Sequence, residues 1–164
     1  MESKKVAIYG MLIALAMVLS FLESMLPALV AVPGVKLGLT NLVVMVALYR
    51  MKPADAFVIN IIRILLVGLT FGNSFSLVYS IAGGALSFIV MLLLFKIREG
   101  LFSPVGVGAA GGVAHNMGQL IVAAIIMRSA GVGFYIPVLL VSGVIAGALI
   151  GMLSGLVVER LPRK

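Results

Sequence analysis

The sequence predicts an all-α membrane protein: a six-transmembrane-helix bundle, N-in/C-in, with both termini on the cytoplasmic side. Three observations predict it. Of 164 residues, 63% are hydrophobic and only 10% are charged, against about 25% charged in an ordinary soluble domain. Mean hydropathy is +1.29, and a soluble domain of this size needs a polar skin that so few charges cannot make. The apolar residues also fall into six runs separated by turn chemistry, with basic residues concentrated at alternate connections. The chain therefore reads as a single integral membrane domain, residues 1–164, in a multi-pass arrangement in a cell membrane.

The runs cover 6–22, 37–49, 54–69, 74–95, 105–127 and 134–158. A helix needs about 20 residues to cross roughly 30 Å of hydrocarbon. The first run is long and no small-residue cleavage site follows it cleanly, so it is expected to be a retained helix rather than a signal peptide. The second and third are short, and are expected to be tilted, broken or lined by water. Pro33-Gly34, Lys52-Pro53, Gly72-Asn73, Ser103-Pro104 and Gly131-Val132-Gly133 punctuate the runs. With the N-terminus inside, nine basic residues lie inside: Lys4, Lys5, Arg50, Lys52, Lys96, Arg98, Arg160, Arg163 and Lys164. Only Lys36 and Arg128 lie outside, and Arg63 falls within a span. That asymmetry fixes the expected orientation.

Composition excludes several chemistries. There is no cysteine and one histidine, His115, so thiolate sites, iron–sulfur clusters and multi-histidine metal ligation are not expected. No cofactor is expected. The acids are Glu2, Glu23, Asp55, Glu99 and Glu159, none in the middle of an apolar run, which argues against a carboxylate proton relay. The net charge of +7 is scattered between apolar runs; it reads as topology, and nucleic acid is not an expected partner. Gly106-Val107-Gly108-Ala109-Ala110-Gly111 matches the dinucleotide glycine pattern, but no strand precedes it and Met127-Arg128 stand where an acid belongs. Helix packing accounts for it better.

Small residues recur at helical spacing. Gly143, Gly147, Gly151 and Gly155 form one stripe in the last run, which lets another backbone approach closely. Gly10 and Ala14, with Ala7, do the same in the first, and Gly68 and Gly72 in the third. Such stripes serve packing within the bundle or docking of a partner membrane protein.

The buried polar residues carry the functional argument. Arg63 lies nine residues into the third run, roughly 14 Å deep at 1.5 Å per residue. A mid-membrane arginine costs about 2.5–3.5 kcal/mol on insertion scales and should face a cavity or a partner group. No carboxylate is expected at its depth, so an acidic ligand or a set of carbonyls must satisfy it. The alternative is a snorkelling or carbonyl-capped arginine. Asn60 lies three residues earlier, on the same side. In the fifth run His115 and Gln119 share a face, Asn116 lies beside them, and the depth of His115 matches that of Arg63. A histidine merely bonded to a helix neighbour is the plainer reading. Two polar clusters at one depth in different helices point instead to a shared cavity.

At the outer mouth stand Lys36, Thr40 and Asn41, then Asn73, Ser74, Ser76, Tyr79 and Ser80. Lys36 and Tyr79 would equally suit an interfacial belt. Together these groups make a funnel with donors and positive charge. It suits an anionic solute bearing phosphate, pyrophosphate or carboxylate and entering from outside; apolar walls would suit a greasy tail.

Three stretches carry a family likeness: 33–41 (PGVKLGLTN), 68–87 (GLTFGNSFSLVYSIAGGALS) and 102–120 (FSPVGVGAAGGVAHNMGQL). They resemble the Gx transporter family, also labelled heptaprenyl diphosphate synthase component I, which is similar to the S components of energy-coupling factor (ECF) transporters. The likeness spans nearly the whole chain, and the stretch with His115, Asn116 and Gln119 is its most specific part. It implies an ECF S-component-like bundle in a prokaryotic plasma membrane, with an outward-facing pocket under a first-loop lid. It also implies a transmembrane coupling protein, met by the Gly10/Ala14 stripe, and separate ATPase subunits. The chain contains no GxxxxGK[ST] motif of its own. Prenyl chain elongation by the usual route needs clustered aspartates holding magnesium. The only aspartate here is Asp55, expected to cap the third helix.

The leading expectation is thus a substrate-binding or transport component for a small, anionic, isoprenoid-like solute, within membrane lipid. Arg63 and His115 would pair with its charge, and Asn41, Asn60, Tyr79 and Gln119 would orient it. A non-catalytic membrane subunit of a prenyl (heptaprenyl) diphosphate synthase is the second reading. An oligomeric channel is the third, though a missing acidic ring disfavours cation conduction.

Overall fold

The computed structural model describes residues 2–25, 38–70, 72, 74–97, 102–128 and 130–160. Six α-helices follow in order: α1 (Glu2–Met25), α2 (Asn41–Arg50), α3 (Pro53–Thr70), α4 (Ser74–Ile97), α5 (Pro104–Met127) and α6 (Ile136–Arg160). A 3₁₀ turn, Ala130–Tyr135, leads into α6. No strand occurs among the described residues. Five helices, all but α2, are long and apolar enough to cross a membrane. The all-helical membrane class is as expected.

Two boundaries differ from the sequence reading, and both bear on function. The first helix runs on to Met25, so Glu23 lies inside its last turn and not beyond it. The second helix starts at Asn41 rather than at 37. Residue 37 lies outside the described residues, and Gly38 adopts φ +78° in a turn closed by the Asn41 N–H on the Gly38 carbonyl, 2.8 Å. That φ is left-handed and suits glycine. Ten residues of α2 span roughly 15 Å, about half the hydrocarbon thickness.

A helix apolar on all sides must be buried on all sides, and α2 is: Val43, Val44, Met45, Ala47 and Leu48 are at most 1% exposed. It contacts α1, α3, α4 and α6. Its side chains share one core with Leu12 and Ala16 of α1, Ala56 and Ile59 of α3, and Phe88 and Met91 of α4. A half-length helix therefore stands inside the bundle with its N-terminus at mid-depth.

Lipid tails are as apolar as leucine, so helices in a bilayer associate through close packing. The glycine stripe of α6 provides it within the chain. A Cβ on Gly147 would stand 2.2 Å from the Gly108 carbonyl oxygen, and one on Gly151 2.3 Å from that of Pro104. From the facing side, a Cβ on Gly112 would meet the Gly143 carbonyl at 2.2 Å. Gly108 thus belongs to the α5–α6 seam, while Gly111 faces α4, where an added Cβ would stand 2.7 Å from Met91 Cγ; the glycines at 106–111 lie within α5 and not in a nucleotide turn. Gly118 brings α5 equally close to α4, where a Cβ would be 2.6 Å from the Ala82 carbonyl. Gly10 is the contrast: its added Cβ meets nothing within 4 Å, and Ala7 and Ala14 are exposed beside it.

Asp55 lies in the first turn of α3, where negative charge suits the helix dipole. Its carboxylate accepts a hydrogen bond from Lys5 Nζ at 2.9 Å, tying α3 to the start of α1. This cross-helix ion pair is a contact the sequence reading did not foresee.

Candidate functional site

Three helices bring polar side chains to one depth. Measured from the end of the bundle where α2 meets α3, Asn41 is nine residues from Arg50 and Arg63 ten from Pro53. His115 is eleven residues from Pro104. At 1.5 Å per residue all three stand roughly 14–17 Å in.

Arg63 is 5% exposed and is caged by side-chain oxygens. Its Nε and Nη2 both donate to Asn60 Oδ1, at 3.0 and 2.8 Å. Nη2 also donates to Asn41 Oδ1 at 3.0 Å, and Nη1 donates to Thr40 Oγ1. None of these acceptors is main-chain, and together they use four of the five guanidinium hydrogens. The amides are themselves held. Asn60 Nδ2 donates to the Gly84 carbonyl at 3.3 Å, and Asn41 Nδ2 to Ser87 Oγ at 3.4 Å. Each amide thus turns nitrogen to α4 and oxygen to Arg63. Thr40 occupies the N-cap of α2 but makes no side-chain cap; its hydroxyl serves the arginine.

The sequence reading expected no carboxylate here, and the structure corrects it. Glu23 is 7% exposed and lines one cavity with Arg63. The physical reason is the extra turn of α1, whose end lies against a site set midway along α3. A Glu23 carboxylate oxygen, Oε1, accepts the Gly38 N–H at 2.5 Å. A buried acid of the same chain thus shares the cavity with Arg63.

The cavity has polar walls from Glu23, Thr40, Arg63, Ser80 and His115, and apolar walls from Ile64 and Val67. Its volume is about 20 Å³, on a scale where one water needs roughly 10–15 Å³. His115 lies 3.2 Å from Gln119, Nε2 to Nε2, so Gln119, fully buried, backs the imidazole. Gly83 allows this fit: a Cβ there would lie 3.0 Å from His115 Cε1.

Of the residues singled out in the sequence, Arg63, Asn60, Asn41, His115 and Gln119 converge. Asn116 is elsewhere: its Nδ2 donates to the Leu139 carbonyl at 2.8 Å and to Ser142 Oγ at 3.3 Å, joining α5 to α6. Tyr79 is 4% exposed and packs in an apolar cluster with Leu120, Ala123, Val132 and Leu139. Lys36 and the lid segment lie outside the described residues. Gly10 and Ala14 sit on the open face of α1, away from the cavity.

Glu23, Gly38 and Ser20 were not foreseen at the site, and Thr40 and Ser80 were foreseen only at its mouth. A signal existed for the first. Glu23 is the sole acid between Glu2 and Asp55, and it follows Ser20 by three residues at the end of the apolar run that begins at Val6.

The family model for heptaprenyl diphosphate synthase component I matches residues 12–157. The match takes in every cavity residue named above. No curated protein and no solved structure matches the chain.

Proposed function

The chain belongs to the heptaprenyl diphosphate synthase component I family, and from that premise we propose that it is a membrane-embedded substrate-binding component for a small anionic solute. The solute enters from the outer side, and partner subunits supply the energy. The observation that carries this reading is the caged guanidinium of Arg63 beside a cavity. Neutral oxygens of Thr40, Asn41 and Asn60 fix its plane without cancelling its charge, and one Nη1 hydrogen is left over for a ligand. Planar, bidentate donors suit phosphate and carboxylate oxygens. The N-terminus of the half-length α2 adds its positive dipole end at the same depth.

In this reading all six helices form an N-in/C-in bundle. Arg63 and His115 meet the ligand's charge, while Asn41, Asn60 and Gln119 hold them in position. A diphosphate is far larger than the present cavity, so its capture requires the walls to part. The exposed Gly10/Ala14 face offers a backbone-close surface to a coupling protein. The test is calorimetric titration of the detergent-purified protein with inorganic pyrophosphate. Wild type binds, and Arg63→Met does not while remaining folded and monodisperse in the cold. Equal affinity in the two would end the assignment.

The family description favours a second reading, a non-catalytic membrane subunit of a prenyl diphosphate synthase. The one aspartate, Asp55, is committed to Lys5, so this chain lacks an aspartate cluster to hold magnesium on a diphosphate. Recovery of a soluble synthase from membranes, in place of ATPase and coupling subunits, would decide for it.

A further inference from the structure

The cavity that holds Arg63 also holds an acid, and this bears on how an anion gains entry. Glu23 and Arg63 sit on α1 and α3 and line the same small space. Both are buried. A ligand phosphate or carboxylate approaching Arg63 would therefore meet a second negative charge inside a site of low dielectric, where like charges repel strongly. The site cannot hold both anions in their present places. The carboxylate is held in place by the Gly38 N–H at 2.5 Å. Gly38 belongs to the turn that leads to Thr40 and Asn41, two of the three residues that cage the guanidinium. A Cβ on Gly38 would lie 3.1 Å from Asn41 Nδ2 and 3.3 Å from His115 Cδ2. The tether of Glu23 is thus packed directly against the binding residues.

We propose that Glu23 is the resident counter-anion of the Arg63 slot and that the anionic group of the ligand displaces it. Binding an anion and parting the end of α1 from the turn before α2 are then one event. The inference rests on the anion-binding reading above and adds its selectivity. While empty, the slot is neutralised by its own chain. An anion enters only if its interactions with Arg63 outweigh those that hold Glu23 in the shared cavity, the Gly38 N–H bond among them. A ligand acts on the two states only through this difference in affinity. Diphosphate, with more charge and more oxygens than a single carboxylate, competes better than chloride or acetate.

The absence of cysteine makes site-directed spin labelling direct. Labels at Leu22→Cys on α1 and Ile126→Cys on α5, both exposed positions, report the separation of the two helix ends. Wild type, Glu23→Gln and Glu23→Ala are titrated with inorganic pyrophosphate in lipid nanodiscs, by calorimetry and by pulsed dipolar spectroscopy. Pyrophosphate is expected to shift the wild-type label distance. Both variants are expected to show the shifted distribution before any ligand is added, and to bind pyrophosphate at least about 5-fold tighter, the low end of usual coupling factors. Wild-type binding with equal or weaker binding in both variants overturns the proposal and leaves the anion site standing. Absence of binding in wild type and in both variants removes the anion site itself.

Discussion

Replacing Arg63 by methionine tests how the polar cluster is held together. The change keeps an unbranched apolar side chain in place and removes the charge. It deletes four hydrogen bonds from a charged donor, to Thr40, Asn41 and Asn60. At 1.5–3 kcal/mol each these sum to roughly 6–12 kcal/mol. That sum overshoots, because the cost of burying the guanidinium is recovered when it is removed. What survives is the loss of a nearby guanidinium charge by the buried Glu23, which lines the same cavity, and disrupting a buried charge pair costs at most about 3–5 kcal/mol. Adding Glu23→Gln removes the stranded charge. The double variant should then be more stable than the sum of the single losses predicts, by about 0.5–3 kcal/mol. Unfolding in detergent, followed by far-ultraviolet circular dichroism, reads all four corners of the cycle. Additive losses would refute the coupling, as would an Arg63→Met variant within about 1 kcal/mol of wild type.

Two further predictions separate packing from binding. Gly147→Leu drives a side chain into the Gly108 carbonyl, 2.2 Å from the first added carbon; overpacking of this kind costs at least about 1–3 kcal/mol. The variant should melt early, whereas Gly10→Leu, with open space beside it, should melt with wild type. Asn116→Leu loses its bonds to Leu139 and Ser142. Interhelical bonds of this type average about 0.6 kcal/mol and reach about 1.7 kcal/mol. Pyrophosphate affinity should be unchanged in that variant, and a large drop would return Asn116 to the binding residues.

Much of this was legible in the sequence because helical periodicity is local. Asn60 and Arg63 are three apart, and His115 and Gln119 four apart; each pair meets as that spacing requires. Arg63 and His115 were matched by depth, which needs only a rise of 1.5 Å per residue, and they share a cavity. Depth does not fix direction around the helix. Asn116 follows His115 by one residue, about 100° around the axis, and so it faces α6. Tyr79 likewise points into an apolar cluster while Ser80, one residue on, lines the cavity. Glu23 escaped because hydropathy ended the first run at Leu22, and a helix end can lean across a neighbour at any depth. The start of α2 was set by Gly38, whose positive φ leaves no mark on a hydropathy profile.

The most direct test of the central claim, that the buried cation at Arg63 exists to receive an anion, is native mass spectrometry of the protein extracted from its own membranes. Wild type should carry a small anionic adduct that survives purification in part, and Arg63→Met should carry none. An adduct retained in full by Arg63→Met, or a wild-type protein that never carries one and takes up no added pyrophosphate, would contradict it.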